Sequence, residues 1–193
     1  LDTPGVEYSP ASGEATDKVT ITATVKDANL TLQSRKLGDV VIRLSRTRFT
    51  GIEAHQKPLI ILDEQYQESI SIAAEQGKAT NIIFECKSGD FEVITEGDIL
   101  CTKAKSAGTN KYSISVSATK DNLTAAPNRA GYIGFKVNGQ RLEGKIAVIQ
   151  KSAITFDCSR ILINGTAEAT KVLNINTPFD FTVSSSSTLL TAT

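Results

Sequence analysis

The chain has 193 residues, 40% of them hydrophobic, with 21 basic and 21 acidic side chains and no tryptophan. That is enough apolar material for a buried core, and a net charge of zero, with no segment strongly basic, argues against a nucleic-acid partner. The longest apolar run, Leu59 to Leu62, is far too short to cross a bilayer, so a membrane would be reached only through a lipid anchor outside this chain.

Read in chain order, the dominant period is two. Val19, Ile21, Ala23 and Val25 alternate with Thr20, Thr22 and Thr24. A basic run of Arg35, Lys36, Arg43, Arg46 and Arg48 around Asp39 follows. Leu62 to Glu68 has helix-tolerant residues but no sustained apolar stripe, and reads as a turn or short connector. Beyond it Ile82, Phe84 and Cys86, then Ile114, Val116 and Ala118, then Ile133, Phe135 and Val137 each occupy alternate positions. Strand side chains point to opposite faces in turn, so every such run has a core face and a wet face, as in antiparallel sheets solvated on one side. Turn signals separate the runs at Ser88-Gly89-Asp90, Glu96-Gly97-Asp98, Asn138-Gly139 and Asn164-Gly165. Asn138-Gly139 favours a hairpin, although the apolar run at Ile146–Ile149 comes late enough to suggest a connection longer than two residues.

The chain also repeats itself. Ser69–Ile82 resembles Arg160–Val172: both show a strand, a glycine-containing turn, Ala-Thr and a second strand, and Asp90-Phe91-Glu92-Val93 recurs as Asp180-Phe181-Thr182-Val183. A fainter copy places Gly13–Asp17 and the strand after it opposite Gly77–Asn81 and Ile82–Cys86. These matches give joins near residues 65 and 152. The fold class expected is therefore all-β, with tandem immunoglobulin-like β-sandwich modules arranged end to end. Residues 1–65 form a weak repeat, 66–152 a complete sandwich and 153–193 the opening half of a further module. A half module implies that the polypeptide continues, or that a partner strand completes it. The joins lack Pro/Gly/Ser-rich linkers, which points to a stiff rod. The chain opens at Leu1 and contains no Met, as a mature chain that has lost an export signal would, or a segment of a longer protein.

The central segment runs from Ile70-Ser71-Ile72-Ala73-Ala74-Glu75-Gln76-Gly77-Lys78-Ala79-Thr80 to Asn128-Arg129-Ala130-Gly131-Tyr132-Ile133-Gly134-Phe135-Lys136-Val137 and Lys145-Ile146-Ala147-Val148-Ile149-Gln150-Lys151. It resembles the BACON domain, an immunoglobulin-like module of secreted and surface lipoproteins of Bacteroidetes. The resemblance implies a secreted or outer-membrane-anchored, non-catalytic adhesion or glycan-binding module, with host or dietary glycans or surface proteins as partners. A spacer that positions another domain, or a fimbrial subunit completed by strand exchange, are the alternatives. Phe91 and Phe181 stand where the family often has Trp, the best sugar-stacking side chain.

The candidate ligand-binding residues are Tyr132, whose parity faces outward, and Arg46 and Arg48, which would hold an anionic glycan unless they only protect a strand edge. Arg129 and Gly131 read as structural, with Gly131 relieving a turn, and Tyr112 as core. Cys86, Cys101 and Cys158 are an odd set. Cys86 and Cys101 read as buried apolar side chains, with a disulfide between them as the alternative. Asp63-Glu64 and Asp121-Asn122 are too few oxygen donors for calcium. Asn29-Leu30-Thr31, Asn122-Leu123-Thr124 and Asn164-Gly165-Thr166 match the glycosylation sequon, which matters only in a eukaryotic secreted protein. His55 is the only His, so a Ser or Cys nucleophile has no evident base and no catalysis, cofactor or metal is expected.

Overall fold

The alternating runs become strands in the computed structural model, which describes residues 5–9, 20–44, 46–102, 104–166 and 168–186. Apart from a short 3-10 turn at Glu64–Tyr66, whose first turn is capped by the Asp63 carboxylate, every regular element among these residues is a strand. In chain order they are β1 (Val6–Ser9), β2 (Thr22–Val25), β3 (Arg35–Leu44), β4 (Thr47–Gln56), β5 (Ile60–Leu62), β6 (Ser69–Ile72), β7 (Thr80–Cys86), β8 (Phe91–Gly97), β9 (Ile99–Cys101), β10 (Lys105–Gly108), β11 (Lys111–Ala118), β12 (Asn128–Val137), β13 (Gln140–Arg141), β14 (Ile146–Gln150), β15 (Thr155–Phe156) and β16 (Ile175–Asn176). The protein is all-β, with several sheets.

Strands β5 to β14 form two facing five-stranded sheets. One runs β10-β11-β7-β5, with β9 also on β11; the other runs β13-β12-β14-β6, with β8 also on β12. Ile82, Phe84 and Cys86 of β7 and Ile114, Val116 and Ala118 of β11 point inward from the first. Ile133, Phe135 and Val137 of β12 and Ile146 and Val148 of β14 meet them from the second, and all are buried in one cluster. Burying such side chains contributes roughly 1.5–3 kcal/mol each for the large ones, so this packing stabilises the sandwich. Strand β6 runs parallel to β14, whereas every other pair of strands among the described residues is antiparallel. Phe84 carries the aromatic centre, with Phe91 and Phe135 edge-on at 5.1 and 5.2 Å between centroids.

Several expectations change. Strand β5 lies before the join expected near residue 65, yet it pairs with β7, Ile60 opposite Cys86, and its apolar side chains lie in the central core. The Asn138-Gly139 connection is a two-residue loop after all: Val137 pairs with Gln140, and both loop residues have positive φ. The extra length arises because the strand resumes as β13 and Leu142, whose amide bonds to Phe135 O at 2.9 Å. No disulfide forms, and Cys86, Cys101 and Cys158 are free. Cys86 is on β7 and Cys101 on β9, which flank β11 on opposite sides. Cys86 lies opposite Asn110 and Cys101 opposite Val116, so two strand spacings across and six residues along β11 separate them, roughly 20 Å and far beyond disulfide reach.

The flanking segments are smaller. Strands β1–β2 and β3–β4 make two separate two-stranded ladders, and β15–β16 a third. Among the described residues no strand forms at Arg160–Ile163, and the segment after Ala153 holds the single pairing of β15 with β16. The N-terminal ladders do repeat the central unit, but in a different phase from the expected one. Val6↔Val25 and Tyr8↔Ala23 reproduce Ile99↔Ala118 and Cys101↔Val116. Arg35↔Gln56 and Lys36↔His55, then a bulge and Gly38↔Ala54, reproduce Asn128↔Gln150 and Arg129↔Ile149, then a bulge and Gly131↔Val148. Thus β2 stands where β11 stands, not β7. Residues 10–19, which carry the Gly13–Asp17 match, lie outside the described residues.

Candidate functional site

The outer face of the second sheet is organised by the β12 bulge. Strict alternation would place Arg129 and Tyr132 on opposite faces. The extra residue at Ala130 resets the parity, so Arg129, opposite Ile149, and Tyr132, opposite Ala147, share the solvent side. Gly131 permits this crowding, because a Cβ there would sit 2.2 Å from Glu96 O. Gly131 is therefore structural as expected, but inside a strand and not in a turn.

Around Tyr132 the cations converge. Arg129 Nη1 lies 2.7 Å from the phenol oxygen and donates to it, and its guanidinium carbon is 5.4 Å from the ring centroid. Lys145 Nζ stands 5.8 Å from the same centroid, within cation–π range. Glu96, opposite Tyr132 on β8, receives Lys145 at 2.5 Å and Arg141 at 2.9 Å. Those bonds, Lys145 first, hold its carboxyl below the ordinary glutamate range. Lys136 pairs with Glu92 at 2.7 Å. Arg129 meets no carboxylate among the described residues; its bond to Tyr132 leaves a cation uncompensated at the centre of the face.

The equivalent positions of the N-terminal hairpin show what a closed version looks like. There Lys36 replaces Arg129, and it is paired with both Asp39, in the place of Tyr132, and Glu53. Glu53 also contacts His55 at 3.0 Å. Lys36, then His55, lower the Glu53 carboxyl to about 2, and Lys36 is raised in return, by Glu53 before Asp39. Arg35 donates to the Gln56 side chain and to Asp27 O. Arg35 and Lys36 of the basic run are thus committed to contacts within the N-terminal segment. Arg46 and Arg48 lie at the exposed tip of β3–β4, and among the described residues no hydrogen bond or ion pair joins them to the Tyr132 face. Sequence reading missed Arg141, Lys145 and Glu96, whose convergence depends on the sheet order.

A cleft of about 470 Å³ opens between the sheets beside β8, lined by Phe91, Val93, Thr95, Cys101, Ala104 and Tyr112. Tyr112 is half-buried against Phe91 at 4.5 Å, in keeping with its inward parity. Burial pushes the Cys101 thiol up to about 11, so it is a poor nucleophile. Among the described residues no three His, Cys, Asp or Glu side chains are grouped to hold a metal. The Asp121 carboxylate instead accepts from Gln76 N at 2.6 Å. Asn29 and Asn122, the acceptors of two sequons, are buried and fully bonded; Asn164 is exposed.

The chain matches no protein-family model and no curated protein. Among solved structures it is similar to InvD of Yersinia pseudotuberculosis, with 12% identity and a TM-score of 0.32 over 92% of this chain and 70% of that one.

Proposed function

We propose that the chain is a non-catalytic segment of a secreted or cell-surface adhesion protein, in which immunoglobulin-like, BACON-like sandwiches are joined in tandem as a stiff spacer. The observation that supports this is the joint between the N-terminal ladders and the central sandwich. Glu143 N donates to Leu30 O at 2.6 Å, Thr31 bridges Glu143 in parallel, and Leu30 and Leu32 pack against the core cluster that contains Leu142. A hydrogen-bonded, apolar joint resists bending in a way that a polar linker does not. Small-angle scattering of the chain and of Leu30→Asp tests it: the intact chain gives the profile of one rigid particle and the variant a broader distribution of distances. Identical profiles would end the spacer reading.

A second reading, an anionic glycan on the Tyr132 face, is favoured by the uncompensated Arg129. Both cations near the ring obstruct stacking by a neutral sugar, whereas a sulfate or sialate engages Arg129 as it stands. An array of sulfated, sialylated and mucin O-glycans tests this. No binding, or binding unaffected by Arg129→Ala, removes it.

A further inference from the structure

The joint is set by a side-chain latch that occurs twice. Asn29 Nδ2 donates to Gln33 O at 2.8 Å and Gln56 O at 3.2 Å, and its Oδ1 accepts from Thr31 N at 3.1 Å. Asn122 Nδ2 donates to Ala126 O at 2.9 Å and Lys151 O at 2.8 Å, and its Oδ1 accepts from Thr124 N at 3.1 Å. A glutamine from the last strand completes each latch. Gln56 Nε2 reaches Asp27 O at 2.8 Å, and Gln150 Nε2 reaches Lys120 O, also at 2.8 Å. Both asparagines are buried. Between each Asn and Thr stands one leucine; the bonds to the Thr amide and to the carbonyl four residues after the Asn are the same in both, while the second Nδ2 donation goes to Gln56 O in one and to Lys151 O, one residue past Gln150, in the other.

The two leucines differ only in what meets them. Leu30 has its carbonyl on Glu143 N and its side chain against the central core, while Leu32 lies beside Gly144, whose added Cβ would be 3.7 Å from it. Leu123 is 71% exposed, and among the described residues nothing donates to its carbonyl. We infer that Leu123 is the docking residue for a further sandwich of the same kind, stacked in tandem, whose loop equivalent to Leu142-Glu143-Gly144 presents an amide to the Leu123 carbonyl. This inference rests on the spacer reading. The loop of a second copy of this chain is not the natural occupant, since its own Leu30 covers it. Ala125 stands where Leu32 does, so the second joint is the smaller of the two.

The chain has no tryptophan, so one introduced indole reports alone. Leu30→Trp in the parent chain tests the spacer reading: its emission is that of a buried indole, protected from a soluble quencher. Leu123→Trp in the parent chain is exposed and quenched. The decisive protein carries Leu123→Trp and duplicates residues 59–152 directly after Ser152, with Leu123 kept in the added copy. This places a Leu142 loop after the latch at Asn122. There the emission of the indole at position 123 shifts to shorter wavelength and its quenching falls. If the indole at position 30 is protected but the one at position 123 in a folded duplicate stays exposed, the inference fails while the spacer reading stands; an exposed indole at position 30 removes both. A second arm covers a duplicate that does not fold. Leu30→Asp vacates the Leu142 loop, so that variant, added in excess to the Leu123→Trp chain, shifts the indole emission and the unmodified chain does not. No shift with the variant, or equal shifts with both, overturns the inference.

Discussion

The latch at Asn122 makes a quantitative prediction. In Asn122→Ala the side chain's donations to Ala126 O and Lys151 O and its acceptance from Thr124 N all disappear. Thr124 Oγ1 retains Ala126 O, 2.8 Å away, as an alternative acceptor. Four bonds are thus lost, that from Thr124 Oγ1 to Asn122 Oδ1 at 2.7 Å having a ready substitute, and the other three lie at a site that is 2% exposed, so water does not readily replace them. At about 1 kcal/mol net each, with some added cost for stranded backbone groups, the loss is about 3–4 kcal/mol. That is a large part of a small domain's stability. Urea denaturation followed by tyrosine fluorescence and far-UV circular dichroism measures it, with Leu123→Ala, next door and exposed, as a control that changes little. If Asn122→Ala lies within about 0.5 kcal/mol of the parent chain, the range of an ordinary surface substitution, the latch is not what fixes this end of the sandwich.

Other outcomes follow from the same contacts. Gly131→Ala forces a Cβ to 2.2 Å from Glu96 O, so the β8–β12 pairing must separate; a loss of about 2 kcal/mol or more is expected, visible as a lowered thermal midpoint. Glu53, held at about 2 by Lys36 first, favours the native hairpin above the unfolded carboxyl's range and ceases to do so as pH falls through about 2. An NMR titration of its side-chain carbon shows the depressed midpoint, which moves up in Lys36→Ala. Cys101, with its thiol near 11 against an ordinary 9.0, carries about 100-fold less thiolate at pH 8 than an unperturbed cysteine. Alkylation followed by mass spectrometry therefore labels exposed Cys158 well before Cys101.

The strands and their inward faces were legible because burial writes period two directly into the chain: Ile82-Phe84-Cys86 and Ile133-Phe135-Val137 are core in the structure as in the pattern. The phase of the repeat was not legible. Alternating Val and Thr suits any half-buried strand, so alternation matches β2 to β7, whereas its ladder with β1 copies that of β11 with β9. The position-specific signals were Asn-Leu-Thr, the bulge glycine and the closing Gln, and Asn-Leu-Thr reads equally well as a sequon. Tyr132 was legible from parity alone. Arg129 beside it was not, because the bulge at Ala130 reverses the parity that alternation assigns. Arg141, Lys145 and Glu96 belong to three different strands or loops, and only sheet order brings them together.

Amide hydrogen exchange at Glu143 tests the spacer account most directly. Its N–H is bonded to Leu30 O across the joint, at 2.6 Å. The account predicts that this amide is protected in the intact chain and that Leu30→Asp, which expels the side chain from the joint, removes the protection while core amides such as Val116 stay slow. Exchange at Glu143 that is fast in the intact chain, or equally slow in both, would mean that the two segments are not held together through Leu30.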